Sequence, residues 1–321
     1  MTINRRIFTA GAAALAFGGA SAAPIAGGRP IRIVVGFPPG GGLDILTRTV
    51  AQNMGNFLTQ PVVVDNRPGG DGIIAADFVA KAPPDGLTLY IGSGTSMIAT
   101  PLLKAGAIPY DPFKDFTPIT QMGLFTLIWL VAPELPVNNL AEFVTYVRAR
   151  PGQLNYASSN NTTRLAAIQV LSQYKLDMAH IPYKGDSPAQ VDLMANRVHM
   201  MVATVASASA FIKDGRLKAL MLQRGSRTSV LPDVPTVQEV GANVRISPWS
   251  GIFGPAKMDP ATVQQINQAY RAAVADKATR DQFDQKGFEA TPTTPQEMAA
   301  NLRSEYEVFR KAIQEDGVKF D

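Results

Sequence analysis

The chain has 321 residues, with 30 Lys and Arg against 26 Asp and Glu and a net charge of +4. So small an excess, with no run of Lys or Arg, excludes a chain built to track nucleic acid. The absence of cysteine excludes disulfides, Cys-based zinc sites and thiol catalysis.

The first 22 residues read as an export signal peptide. Arg5 and Arg6 form its charged start, 7–17 is an apolar run too short to span a bilayer, and Ala20-Ser21-Ala22 is an A-x-A cleavage site. Cleavage near Ala22 would release a periplasmic chain starting at Ala23. Its net charge would fall from +4 to +2, because the signal holds two arginines and no acid. Asn4-Arg5-Arg6-Ile7-Phe8 fits the Sec route and also resembles a twin-arginine signal, so the route stays open. Segment 124–132 is only strand length, and nothing after the signal is apolar for long enough to cross a membrane. At about 300 residues, one or two large hydrophobic cores must hold the fold, and two domains are expected.

Strand 31–36 leads into helix 44–58, whose Leu46, Val50, Met54, Phe57 and Leu58 share a face. Between them lies Gly36-Phe37-Pro38-Pro39-Gly40-Gly41-Gly42-Leu43-Asp44. Such a turn collects backbone N–H groups and the positive end of a helix dipole at one point, which makes an anion site. The spacing is neither a Walker loop nor a clean G-x-G-x-x-G. A ligand-free turn would also fit, but three glycines after two prolines exceed what a turn needs and allow close approach to backbone. A valine at Gly41 is therefore expected to cost most of the affinity.

Segment 61–65 is a short strand, 72–81 a helix and 87–92 the next strand, with a turn at Pro83-Pro84-Asp85-Gly86. Repeated strand–helix–strand units predict a parallel sheet with helices on its faces. Gly92-Ser93-Gly94-Thr95-Ser96 follows that strand, where ligands of open α/β sheets sit, so Ser93 and Thr95 are candidates. An ordinary helix cap would explain them equally well.

Two extended runs, 118–122 and 125–131, break the pattern near Thr117, and the alternation then restarts as a second α/β domain. Helices are expected at 140–150, 163–174, 188–196 and near 207–213, the third behind the start signal Asp186-Ser187-Pro188. Strands are expected at 154–157, 179–181, 198–203 and 217–222. Tyr156-Ala157-Ser158-Ser159-Asn160-Asn161-Thr162-Thr163-Arg164 again lies between strand and helix, and its hydroxyls, amides and helix-start N–H groups suit an anion. Simple N-capping would need only one of them.

Leu231-Pro232-Asp233-Val234-Pro235 is a rigid break, and 249–255 an extended return. The tail is helical and has no further strand. One helix starts at Asp259-Pro260 and one at the capping box Thr294-Pro295-Gln296-Glu297, with Met298, Leu302, Tyr306, Phe309 and Ile313 on one face. The chain thus goes out to a second domain and returns. Residues 23–121 plus 248–321 form domain 1 and 122–247 domain 2, with a hinge of two crossings around a cleft. His180 and His199 are the only histidines and have no partners at metal-ligand spacing. No histidine is expected beside Ser93, Ser158 or Ser159, so a hydrolase is disfavoured and no catalytic residue is assigned.

Together these stretches resemble the solute-binding proteins of tripartite tricarboxylate transporters, the Bug or TctC family. The matching pieces are Gly36-Phe37-Pro38-Pro39-Gly40-Gly41-Gly42, Val64-Asp65-Asn66-Arg67-Pro68-Gly69, Ala80-Lys81-Ala82-Pro83-Pro84-Asp85-Gly86, Leu154-Asn155-Tyr156-Ala157-Ser158, Tyr183-Lys184-Gly185 and Leu231-Pro232-Asp233-Val234-Pro235-Thr236. The resemblance implies a two-domain periplasmic-binding-protein type II-like α/β fold. It implies a small organic carboxylate as ligand, delivery to membrane permease subunits, no cofactor, no metal and a monomer. It places one carboxylate between the loop of Phe37, Pro39, Gly40, Gly41, Gly42 and Asp44 and the helix start of Ser158, Asn160, Thr162 and Thr163.

The chain departs from the family pattern at Arg164, where a guanidinium would either hold a second carboxylate or point into solvent. Segment 201–207, with Thr204, lacks the Asp or Asn many relatives carry. These distal positions, with Asp71 and Gly94-Thr95-Ser96, leave the ligand's identity open. A sensor presenting its ligand to a membrane receptor kinase would need the same cleft.

Overall fold

The computed structural model describes residues 24–315, and the expected signal peptide lies outside them. In chain order the strands and helices of the first half are β1 (Ile31–Val35), α1 (Gly42–Leu58), β2 (Val62–Asn66), α2 (Ile73–Ala80), β3 (Thr88–Ser93), α3 (Thr100–Leu103), β4 (Phe116–Phe125), β5 (Leu127–Val131), α4 (Leu140–Arg148), β6 (Asn155–Ser158) and α5 (Asn161–Gln173). There follow β7 (Ala179–Pro182), α6 (Asp186–Met194), β8 (Met200–Thr204), α7 (Val205–Lys213), β9 (Lys218–Gln223), β10 (Trp249–Pro255), α8 (Pro260–Ala275), α9 (Lys277–Gln285), β11 (Phe288–Ala290) and α10 (Pro295–Glu315). A single wide turn, Thr95–Ala99, joins β3 to α3.

Two sheets organise two α/β lobes. The first has the order β11-β4-β10-β3-β1-β2 and the second β7-β6-β8-β5-β9. The fold is thus a two-lobed α/β architecture, as expected. Within each lobe three strands are parallel, as the alternation predicts: β2, β1 and β3 in one, β7, β6 and β8 in the other. The sheets are nevertheless mixed. β10 and β5 run antiparallel to their neighbours because each enters its sheet from a crossing between lobes, not through a right-handed βαβ unit. One crossing is the single residue Thr126, between β4 and β5, and the other is segment 224–248. They lie side by side, since the Phe125 N–H donates to the Pro248 carbonyl at 2.8 Å.

The expectation that no strand follows the return is corrected by β11. Its Phe288 pairs with Phe125 of β4, and the Phe288 ring packs edge-on against Phe125 and Phe283. β4 is also one strand of ten residues, not the short run 118–122.

Burial explains the strand compositions. All five residues of β5 are buried, because helices cover both sheet faces, and an unbroken apolar run is what such a strand requires. Trp129, Tyr90, Phe253 and Phe309 are buried with essentially no exposure, and each such side chain contributes about 1.5–3 kcal/mol. The last helix buries Met298, Leu302, Phe309 and Ala312 against the first lobe. Thr294 and Glu297 form the reciprocal cap the sequence predicts. No helix among the described residues is long and apolar enough to cross a membrane.

Candidate ligand cleft

The parallel strands of both lobes point their C-terminal ends at the seam between the sheets. The helices that follow therefore bring their N-termini together there.

In the first lobe, β1 ends at a turn held by Asp44. Its carboxylate accepts from the Gly40 N–H at 3.0 Å, from Arg48 Nε at 3.0 Å and from Asn66 Nδ2 at 2.9 Å. Asn66 also donates to the Phe37 carbonyl. Burial pushes the Asp44 carboxyl up, but bonds from Arg48, Gly40 and Asn66 outweigh it and hold the group below its ordinary value. Gly40 has φ +80°, which glycine adopts without penalty. Gly42, the first residue of α1, faces the second lobe so closely that a Cβ there would lie 2.5 Å from Thr204 Oγ1.

In the second lobe, α5 begins with a capping box. Asn160 Oδ1 accepts from the Thr163 N–H at 3.0 Å, and the Asn160 N–H approaches Thr163 Oγ1 at 3.2 Å. The lobes join at this point. The Thr95 hydroxyl donates to Asn160 Oδ1 at 3.0 Å and sits 2.7 Å from Thr162 Oγ1, while Asn161 Nδ2 donates to Thr100 Oγ1 at 3.0 Å. Beside it, α6 starts at Asp186 and α7 is capped by Thr204. Asp186 Oδ2 takes Ser207 Oγ at 2.7 Å, Thr204 Oγ1 at 3.1 Å and the Thr204 N–H at 3.3 Å.

A cavity with about 650 Å³ of empty space, partly open to solvent, lies between these features. Phe37, Phe125, Leu127, Pro248 and Trp249 form its apolar walls. Trp249 is 3 % exposed, and its indole Nε1 lies against the Gly94 backbone with no hydrogen-bond partner. Of the residues singled out in the sequence, Phe37, Gly41, Gly42, Ser93, Thr95, Asn160, Thr162, Thr163 and Thr204 line the cavity.

Five others do not. Pro39 and Gly40 are exposed on the outside of the turn, and Asp44 is consumed in bracing it. Ser158 is buried and bonds His180 Nε2 at 2.7 Å. Arg164 turns to the same side, bonding Tyr156 and adding its charge to the surroundings of Asp71 and His180. It is half-buried and does not line the cavity.

The contact to Ser158 corrects the expectation that no histidine neighbours a loop serine. It does not make a hydrolytic pair. Burial first, and then the Arg164 charge, lower the His180 pKa to about 4, far from that of a useful base. The steric constraint also shifts by one residue. A Cβ at Gly41 would meet only the Pro38 carbonyl at 3.5 Å, so Gly42 is the glycine that the observed contact between the lobes requires. Sequence reasoning missed Asp186, Ser187 and Trp249. The first two were seen only as a helix start, although they follow a parallel strand and so obey the same rule as the loops that were chosen. Among the described residues no group of three His, Cys, Asp or Glu side chains could hold a metal ion.

Comparison with known proteins gives this cleft a context. A family model described as the tripartite tricarboxylate transporter family receptor, TctC, matches residues 46–318. BugT of Bordetella pertussis is 31 % identical over 294 residues, 91 % of this chain and 90 % of BugT. A solved R. palustris protein with adipate has a TM-score of 0.87 at 28 % identity, covering 91 % of this chain and 98 % of that one. MatC from Rhodopseudomonas palustris with bound malate has a TM-score of 0.82 at 27 % identity, covering 89 % and 99 %. The chain belongs to the TctC family of periplasmic solute-binding receptors, the Bug proteins.

Proposed function

We propose that the cleft captures a small organic carboxylate and that the closed protein delivers it to the membrane subunits of a tripartite tricarboxylate-type transporter. The observation that carries this reading is the convergence of the α1, α5 and α7 N-termini on one cavity between the lobes. α1 and α5 bring unpaired N–H groups and a positive dipole end, which suit an anion without any cationic side chain, whereas the start of α7 is already taken by the Asp186 carboxylate. Two relatives are solved with small carboxylates, adipate in one and malate in the other.

In this reading one carboxylate meets the backbone at Gly41 and Gly42 and the donors of Asn160, Thr162 and Thr163. Ser93, Thr95, Phe37 and Thr204 shape the rest of the cavity. The lobes close about Thr126 and segment 224–248, dividing the chain near the boundaries expected from sequence. The protein works as a monomer, exported by the Sec or twin-arginine route and cleaved near Ala22.

Thermal unfolding against citrate, C4 dicarboxylates, aromatic acids, amino acids and nicotinate tests this. A ligand at 100 times its dissociation constant should add about 2.7 kcal/mol, a shift on the order of 5 °C. No shift with any acid, before or after unfolding and refolding to strip a retained ligand, would overturn the carboxylate reading.

A further inference from the structure

We propose that Asp186 makes this cleft selective for a carboxylic acid that also carries a positively charged amino group. The inference rests on the carboxylate reading above and deepens it.

Among the described residues, Asp186 is the only ionisable side chain on the cavity wall. It is 7 % exposed, and a carboxylate so buried is costly unless it is paired. Its pairing inside the protein is one-sided. Oδ2 takes all three bonds, from Ser207 Oγ, Thr204 Oγ1 and the Thr204 N–H. Oδ1 takes none from any described residue, and no described Lys, Arg or His forms an ion pair with the group. Lys184, two residues away, is exposed to solvent, and Arg164 belongs to the Tyr156 and His180 side of α5.

The neighbouring elements cannot supply the missing partner. Across the seam lies Gly42, where not even a Cβ fits against Thr204. Ser187 Oγ is 3.5 Å from the Cβ position of Gly40, so the turn of the first lobe packs directly on this helix start. Oδ1 is not shut away from the cavity, so what meets it there is water or the occupant of the cavity.

The remaining polar wall consists of neutral donors, namely hydroxyls, the Asn160 amide and helix-start N–H groups. Such a wall receives a carboxylate, while Asp186 repels a second one and attracts an ammonium. A zwitterion, an amino acid in the broad sense, satisfies both ends. A plain dicarboxylate satisfies only one.

The test is calorimetric titration of the purified protein, stripped of ligand by unfolding and refolding. The titrants are acids matched in skeleton: succinate with aspartate, glutarate with glutamate, adipate with 2-aminoadipate and pentanoate with norvaline. At least one aminated member should bind about tenfold or more tighter than its plain partner, the factor for roughly 1.4 kcal/mol. Asp186→Asn should erase that preference by weakening the aminated acid while leaving the plain acid equal or tighter. Asp186→Ser provides a second route, and each variant's melting curve reports folding. Plain acids binding as well as or better than aminated ones would overturn the inference and leave the carboxylate reading standing. So would a preference for malate over both succinate and aspartate, or an amino preference that survives both folded variants. Binding of neither class would overturn the carboxylate reading and this inference with it.

Discussion

The two lobes share one strand plan but arm it differently. In each, a central strand is flanked by two parallel neighbours, then by an antiparallel strand from a crossing: β2-β1-β3-β10-β4 in the first lobe and β7-β6-β8-β5-β9 in the second. The loop after the first lobe's central strand is a glycine turn that offers bare backbone. Its counterpart after β6 offers side chains already fixed by a capping box. The same contrast recurs after the outer parallel strand, at Asp71 and at Asp186. Asp71 is not among the residues that line the cavity, and burial raises its carboxyl despite the charges of Lys104 and Arg164, whereas Asp186 lines the cavity. Shared topology thus fixes where helix starts converge. Whether backbone or side chain waits there is decided residue by residue.

If the first lobe contributes by close approach, adding bulk there should do the most damage. Gly42→Val should block closure and cost about 10–100-fold in ligand affinity, in line with the 1–3 kcal/mol of an overpacked contact. Its unliganded melting temperature should hardly move, because the clash lies between lobes. Gly41→Ala meets no protein atom nearer than 3.5 Å, so any affinity it loses reports ligand contact rather than failed closure.

Trp249→Phe removes an indole N–H that no protein group accepts. Affinity should fall about tenfold if the ligand supplies the acceptor, while the empty protein should lose only about 1–2 kcal/mol, for the volume the smaller ring leaves unfilled. Calorimetry and thermal melting on one preparation separate these effects.

If the second lobe contributes preset side chains, loosening the seam should matter less. Thr95→Val deletes the hydroxyl between Asn160 and Thr162 and should weaken binding several-fold, as for roughly 0.5–1.5 kcal/mol per hydrogen bond. An unchanged dissociation constant would show that the seam does not form part of the bound state.

The last expected effect is one of pH and is read in stability instead of affinity. His180 has its pKa lowered from 6.5 to about 4 in the fold, so the unfolded chain binds a proton there before the folded one does. Stability should fall as pH drops from about 6.5 to 4. His180→Asn should flatten that part of a urea-denaturation series without altering the limb above pH 7.

Much of this contrast was legible in the sequence, for identifiable reasons. A run of three glycines after two prolines, and a polar run after Leu154, stand out at strand ends whatever the fold around them. Residues whose roles depend on long-range partners did not stand out. Ser158 reads as a ligand donor until His180, 22 positions away, is placed against it. Arg164 reads as a pocket or surface cation until Tyr156 and Asp71 are brought near. β11 is three residues long, and its phenylalanine gains meaning only opposite Phe125. Periodicity carries no strand direction, so the antiparallel β5 and β10 were invisible as such. Asp186 was hidden by a correct but incomplete observation, that it starts a helix.

The position of β10 has a consequence for how the chain matures. It lies between β3 and β4, yet it is made after the whole of the second lobe. Until residue 255 is available, β3 and β4 each present a bare edge where a neighbour belongs, and bare edges recruit other chains. The first lobe to be synthesised is thus the last to be completed, and it stays open to aggregation during export and early folding. A chain stopped before Trp249 should assemble its second lobe and precipitate through its first.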